Sequence, residues 1–373
     1  ATDIGVTADQ VVLGNISTLS GPVPGLFQGA VVGAQAVVAY QNSKGGMFGR
    51  KFKLDVRDDQ FDTGQNRALT SEQISKVFAF LGSFSLYDDA GADAIAKSGI
   101  PDVSYSLSGP RRSIPNNFAV QPAVDGGAPT SGFIWFKNKF PEAIKAVGTI
   151  YGDVPASKAS HTAYKAAAES VGFNYVYERG TQPTETDYTA DVVRMRQAGV
   201  KMVFLIATDD KTTARLLKAM NQQGFKPEVI SANYMPTLPG LAGAAAEGVY
   251  GPAGSSLFGG EDSGVIPEVG LMNEWVNKVK PGYKSDVFST YAWASGRLLF
   301  QAMEAAGPQV TRAKVLAELR KIDKFTANDL LAEAGPASKR PSTCMLMSQI
   351  KGGKYTRVEP AKGFFCLGPY HRG

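Results

Sequence analysis

The chain has 373 residues, of which 43% are hydrophobic and 20% charged, a composition that folds rather than stays disordered. Lys plus Arg is 39 and Asp plus Glu is 34, so the net charge is only +5, and the basic residues are dispersed. Arg111-Arg112 is a short cluster, so a nucleic-acid partner is not expected. No run of about 20 apolar residues occurs, which excludes a helical membrane span, and two His make a His-rich metal site unexpected.

The chain opens on Ala1-Thr2-Asp3, compatible with a removed export signal or a trimmed start. Val11 to Ile16 reads as a strand that enters the loop Ser17-Thr18-Leu19-Ser20-Gly21-Pro22. Apolar residues at helical spacing from Gly29 to Asn42, stopped by Gly45-Gly46, predict a helix. Lys53 to Asp59 alternates as a second strand. A helix follows from Ala68 to Ile74, then a strand from Val77 to Leu81 that runs into Gly82-Ser83-Phe84-Ser85. Ala90 to Lys97 reads as a helix and Gly99 to Ser104 as the next strand. This alternation predicts a parallel sheet covered by helices on both faces.

The rhythm then restarts. Strands are expected at Ala143–Tyr151, Asn174–Glu178, Lys201–Ile206 and Val229–Ser231, with helices at Ser160–Val171, Thr189–Ala198 and Thr212–Gln223. A third stretch begins at Gly248 and holds a long helix from Ser289 to Ala306. Near the C-terminus, Met345–Ile350 and Tyr355–Val358 flank a Gly352-Gly353 turn and read as a hairpin. Folding of that hairpin brings Cys344 and Cys366 together, which predicts a disulfide; two buried free thiols are the alternative. CxxC spacing is absent, so neither zinc nor thioredoxin chemistry is indicated. A structural disulfide would place the protein outside the cytoplasm.

Four segments carry a resemblance when taken in order: GNISTLSGPVPGLFQGAVVGAQAVVAYQNSKGGMFGRKFKLDVRDDQFD, TDYTADVVRMRQAGVKMVFLIATDDKTTARLLKAMNQQGFKP, AAEGVYGP and YAWASGRLLFQAMEAAG. Together they resemble the type I solute-binding proteins of bacterial ABC importers, the leucine/isoleucine/valine-binding group, from about Val11 to about Lys321. The resemblance implies an α/β fold of the periplasmic-binding-protein type I, or Venus-flytrap, class: two Rossmann-like lobes with parallel sheets joined by a three-crossover hinge. The expected lobes are 1–121 plus 253–328, and 122–252 plus 329–373. A small ligand would be captured in an interlobe cleft by lobe closure. Physics agrees on the place, because ligands of open parallel sheets gather at the C-terminal ends of strands.

Site residues follow by position. Leu26 and Phe27 would wall the ligand side chain, with ordinary core packing as the alternative. The loops holding Ser83, Phe84, Ser85, Ser106 and Ser108 match those that grip a carboxylate, since serine hydroxyls and backbone N–H groups are suitable neutral donors. Ser85 and Ser108 match the gripping hydroxyls, Ser83 could replace Ser85, and Ser106 would contribute mainly backbone; helix capping is the alternative. In the second lobe the family's Tyr-Gly pair is replaced by Val154-Pro155-Ala156-Ser157, and Tyr151 could substitute. Thr208, Asp209, Asn233 and Tyr234 lie in the two following loops.

Amino-acid binders place a carboxylate where Asn233 stands, and a buried ammonium without an anion is costly. Asp209 could supply that charge. Otherwise Phe27, Phe84, Tyr105, Tyr151 and Tyr234 would suit an aromatic or larger apolar acid. The resemblance implies a carboxylate-bearing ligand (an amino acid or related acid), a permease partner, no cofactor and a monomer, exported and either free in the periplasm or lipid-anchored. A ligand-sensing receptor domain of the same fold is a further alternative. No catalytic group is assigned: G-x-G-x-x-G and P-loop patterns are absent, and neither His161 nor His371 belongs to a nucleophile constellation.

Overall fold

Short, wholly apolar runs bounded by glycine and serine become buried parallel strands, because burial on both faces removes any need for alternation. A computed structural model describes every residue except Ala1, Val23, Pro183, Ala207, Ala232 and Asn233, together with the side chain of Ala156. The chain divides into two compact units, Ala1–Ala123 with Phe258–Ser342, and Val124–Leu257 with Thr343–Gly373. It therefore passes from one unit to the other at three places along the sequence.

The first unit is built on β1 (Gln10–Ser17), β2 (Lys51–Asp58), β3 (Ala79–Leu81) and β4 (Asp102–Val103), in the order β2-β1-β3-β4. Every pairing is parallel, so all four C-terminal ends share one edge. One face packs Ile16, Phe80 and Ile100 against Leu69, Ile95 and Ile114. On the other, the helix Gln28–Ser43 lies against the helix Val287–Ala306, which returns from the third stretch. Glycines set that approach: a Cβ on Gly33 would stand 2.2 Å from the Ser289 carbonyl oxygen, and one on Gly296 2.3 Å from Val37 Cγ1. The Val287–Ala306 helix starts at Asp286, whose carboxylate accepts the Ser289 N–H at 2.8 Å while Ser289 Oγ accepts the Asp286 N–H at 2.9 Å.

The second unit contains β5 (Gly127–Pro129), β6 (Val147–Gly152), β7 (Tyr175–Thr181), β8 (Met202–Ile206), β9 (Glu228–Ser231), β10 (Tyr250–Ala253), β11 (Leu346–Lys351), β12 (Lys354–Glu359) and β13 (Tyr370–Arg372). Its main sheet runs β12-β11-β10-β9-β8-β6-β7, with β6 to β10 parallel and the terminal hairpin antiparallel at the edge. All of β8 is buried. Gly352 and Gly353 carry φ of 58° and 77°, the left-handed pair that a two-residue hairpin turn requires. Cys344 and Cys366 form a disulfide across the base of this hairpin, so the free-thiol alternative is set aside.

Several readings shift. The strand expected from Ala143 begins at Val147, after a 3₁₀ turn at Ala143–Lys145 that still buries Ile144. The helix expected from Ser160 starts at Pro155, where proline's fixed φ suits the first helical position. Helices at Ser131–Lys139, Pro267–Val279 and Arg312–Leu319 had no counterpart in the sequence reading. Residues 253–257, expected with the first lobe, cluster with the second unit, and 122–123 and 329–342, expected with the second lobe, cluster with the first unit. Gln121 Nε2 there donates to the Ala332 carbonyl at 2.7 Å, and Lys339 Nζ to the Asn117 carbonyl at 2.7 Å.

Candidate ligand site

The C-terminal edge of the first sheet carries an aromatic wall. Phe27, on the loop after β1, lies 5.1 Å from Phe84, on the loop after β3. Phe84 stacks on Tyr105, beyond β4, at 5.3 Å and 11°. Phe288 meets both Phe27 and Phe84 at 5.0 Å, and Tyr291 lies 5.2 Å from Tyr105. Phe27 and Phe84 are buried, whereas Leu26, Tyr105, Phe288 and Tyr291 are only half-buried against them. Burial raises the pKa of the Tyr105 phenol. The sequence reading named Leu26, Phe27, Phe84 and Tyr105 but missed Phe288 and Tyr291. Their i, i+3 spacing in the first turn of the long helix was the available signal.

Carboxylates hold the loops beneath this wall. Asp58 accepts N–H donors from Leu19 at 3.0 Å, Ser20 at 3.3 Å and Gln60 at 2.9 Å, and the Ser20 hydroxyl at 2.5 Å. Burial works against the charge, but the Ser20 hydroxyl and these amides hold the Asp58 carboxyl below its ordinary value. Asp59 is fully buried and accepts the Ser85 hydroxyl, Asn66 Nδ2 at 3.0 Å and the Phe61 N–H at 3.2 Å. Asp88 accepts the N–H groups of Leu107 at 2.7 Å and Ser108 at 3.1 Å. Its burial raises the carboxyl pKa against the pull of Arg111, the Ser108 hydroxyl and those amides.

The serines take distinct places in this network. Ser85 Oγ donates to Asp59 and accepts from the Tyr87 N–H at 2.9 Å and Asn66 Nδ2 at 3.1 Å, so its bonding capacity is filled inside the protein. Ser108 is held by Asp88 through its N–H at 3.1 Å, and its Oγ caps the helix Gly109–Ser113 at the Arg111 N–H, 3.3 Å away. Ser83 Oγ accepts the Ile16 N–H at 3.1 Å. Ser106 differs: it is 2% exposed, and its hydroxyl has no hydrogen-bond partner among the described residues.

In the second unit the Tyr151 ring stacks on His161 at 4.1 Å and 9°. His161 Nε2 lies 3.0 Å from Glu178, which also pairs with Lys165 at 2.5 Å. Thr208 Oγ1 bonds Thr213 Oγ1 at 2.8 Å. Asp209 caps the helix Asp210–Gln222, its carboxylate accepting the Thr212 N–H at 2.9 Å and the Thr212 hydroxyl at 2.7 Å. Tyr234 is buried edge-on against Tyr355 at 4.8 Å. Asn233 lies outside the described residues.

Among the described residues, no group of three or more His, Cys, Asp or Glu could hold a metal ion, and no helix is long and apolar enough to cross a membrane. Residues 10–354 match the periplasmic binding protein family. The chain belongs to that family. Leu/Ile/Val-binding protein homolog 1 of Brucella suis is 25% identical over 351 residues, 90% of each chain. A branched-chain amino acid ABC transporter protein from Thermus thermophilus, solved with bound valine, superposes with a TM-score of 0.77 at 18% identity, covering 97% of this chain and 98% of the other. A solute-binding protein from R. palustris, in complex with 4-hydroxybenzoate, superposes at 0.72 and 20% identity, covering 97% and 98%. These likenesses establish the two-lobed type I fold. As a periplasmic binding protein, the chain binds a solute rather than catalysing a reaction, and membership implies an extracytoplasmic location.

Proposed function

We propose that this periplasmic binding protein is the monomeric solute-capturing component of an ABC importer. Its ligand is a small carboxylic acid with an aromatic or large apolar body, held by lobe closure and passed to a permease. The observation that carries this reading is the aromatic wall of Phe27, Phe84, Tyr105, Phe288 and Tyr291 at the strand ends. A flat or bulky apolar body would gain area and ring contacts there. The family's 4-hydroxybenzoate-bound relative supports the same ligand class. An α-amino acid needs an anion for its ammonium, and Asp209 is turned to its own helix start instead.

The test is a thermal-shift screen of leucine, isoleucine, valine, phenylalanine, 4-hydroxybenzoate and phenylpropanoid acids, followed by calorimetric titration. A ligand at 100 times its Kd stabilises the folded protein by about 2.7 kcal/mol. Aromatic acids are expected to give the large shifts. Stabilisation by the branched-chain amino acids alone refutes the reading.

A further inference from the structure

The C-terminal tail closes on the stretch where the chain first enters the second unit. That entry follows Ala123, and the chain comes back for the last time at Thr343. The helix Ser131–Lys139 is anchored in the core by Phe133, Trp135 and Phe136. Between the entry and that helix lies β5, which stands outside the main sheet and pairs antiparallel with β13 of the tail. Thr130 Oγ1 donates to the Pro369 carbonyl at 2.6 Å. Ser131 is fully buried; its hydroxyl donates to the Thr343 carbonyl at 2.5 Å and accepts the N–H groups of Leu367 at 3.0 Å and Gly368 at 3.3 Å. Glycines admit the tail this closely: a Cβ on Gly368 would stand 2.3 Å from Ile134 Cδ1, and one on Gly127 2.5 Å from Tyr370 Cε1.

The disulfide completes a ring at this point. Cys344 follows Thr343 and Cys366 precedes Leu367, so the covalent bond joins the two segments that Ser131 bridges. Cys366 is exposed, and Leu367 beside it is 44% exposed. Thiol–disulfide exchange requires access, and the Cys366 end of this bond lies at the surface. A short two-stranded ladder is marginal by itself in water, so β5–β13 depends on how tightly the tail is tethered. With the bond formed, the tether runs from Cys366 to Tyr370. Without it, the Met345–Phe365 bridge is an isolated one, and the next regular anchor is the end of β12 at Glu359, roughly three times as far. Effective concentration falls as about the −3/2 power of tether length, which weakens the latch about fivefold.

We propose that the tail is a redox-addressed clasp on the first passage between the units. With Cys344 and Cys366 joined it latches β5; when a dithiol reduces the bond it releases β5, and the solute is held less tightly. A thiolate of the dithiol attacks the Cys366 sulfur, forming a mixed disulfide and expelling Cys344 as thiolate. The second thiol attacks the dithiol's own sulfur in that mixed disulfide, closing the dithiol's disulfide and freeing Cys366. The protein thus gains two electrons and two protons. The loss of affinity rests on the proposed capture by lobe closure, since a released passage must be ordered again on closing; the latch itself does not rest on it.

The experiment compares oxidised wild type, wild type reduced with dithiothreitol, Cys344→Ser/Cys366→Ser, and Ser131→Ala with its disulfide intact. Well below melting, hydrogen exchange at β5 and β13 is expected to run about fivefold faster once the bond is gone, with β8 unchanged. In calorimetric titration with the best acid from the screen, Kd is expected to rise about two- to fivefold, five being the ceiling that the tether sets. Ser131→Ala is expected to shift exchange and Kd in the same direction. Coupling is reciprocal, so saturating acid is expected to move the equilibrium with dithiothreitol toward the disulfide by the same factor.

Unchanged exchange at β5 and β13 on reduction overturns the inference. Acceleration that includes β8 overturns it too, because the bond is then a general staple, and so does an unchanged Kd in both the reduced wild type and Ser131→Ala. If oxidised wild type binds no acid, the proposed function fails instead. Exchange then decides the latch alone: acceleration confined to β5 and β13 upholds it.

Discussion

Asp58→Asn tests whether a carboxylate at the end of β2 holds the loop that leads to Leu26 and Phe27. The wild-type carboxylate accepts from Leu19, Ser20 and Gln60 N–H groups and from the Ser20 hydroxyl, at distances of 3.0, 3.3, 2.9 and 2.5 Å. Asparagine keeps the shape and one acceptor oxygen but removes the charge and the second acceptor. A hydrogen bond to a charged group contributes about 1.5–3 kcal/mol and a neutral one about 0.5–1.5. Two well-made bonds weakened by about 1 kcal/mol each give a loss of about 2 kcal/mol. For a unit of this size that lowers the melting temperature by roughly 4–8 °C.

The pH dependence has a definite sign. The folded-state Asp58 carboxyl lies below its ordinary value of 3.8, so the unfolded chain binds the proton more readily. The stabilisation is fully present above that ordinary value and is lost as pH falls through the folded one. Calorimetric melts of both proteins at pH 7, and across a descending series through the carboxylate range, read the effect directly. Equal melting temperatures at pH 7 would refute the reasoning, as would a gap that stays constant on acidification.

The disulfide closes a segment of sequence separation 22, and loop-closure entropy assigns it about 3 kcal/mol. Cys344→Ser/Cys366→Ser is therefore expected to melt well below the oxidised wild type and close to the reduced wild type. A double variant that melts with the oxidised protein would show that the hairpin holds without the bond. Asp209→Ala removes a helix cap and is expected to cost about 1 kcal/mol of stability. Its ligand affinity should stay within twofold of wild type, whereas a tenfold loss for an amino-acid ligand would restore Asp209 as the ammonium partner.

Elements whose signals are local were legible in the sequence. The wholly apolar run of β8 and the Gly-Gly turn between β11 and β12 each announce their structure within a few residues. The helix Ser131–Lys139 was passed over although Thr130, an N-cap residue type, stands at its start, because its nine residues hold Gly132 and a short aromatic run that does not show a helical period. Pro267 at the start of its helix was a signal passed over. The aromatic wall was half legible, because Phe288 and Tyr291 reach it only through the return of a distant helix.

The roles of the serines were illegible for a different reason. Ser85 gives its proton to a carboxylate 26 residues away, and Ser108 is held by one 20 residues away. A hydroxyl-rich turn looks the same in sequence whether its protons face outward or are taken by buried acids. Only the placement of Asp59 and Asp88 distinguishes these cases.

That placement bears on how such a site gains affinity. Asp58, Asp59 and Asp88 each draw loop N–H or hydroxyl donors toward the protein, which orders the loops before any ligand arrives. Preformed loops lower the ordering cost of binding. The same bonds leave few side-chain donors for the ligand, so polar grip alone would contribute little. One neutral hydrogen bond contributes about 1 kcal/mol, whereas covering about 100 Å² of apolar surface contributes about 2.5 kcal/mol. On these magnitudes a ligand bound as proposed would draw most of its affinity from the half-buried faces of Tyr105, Phe288 and Tyr291.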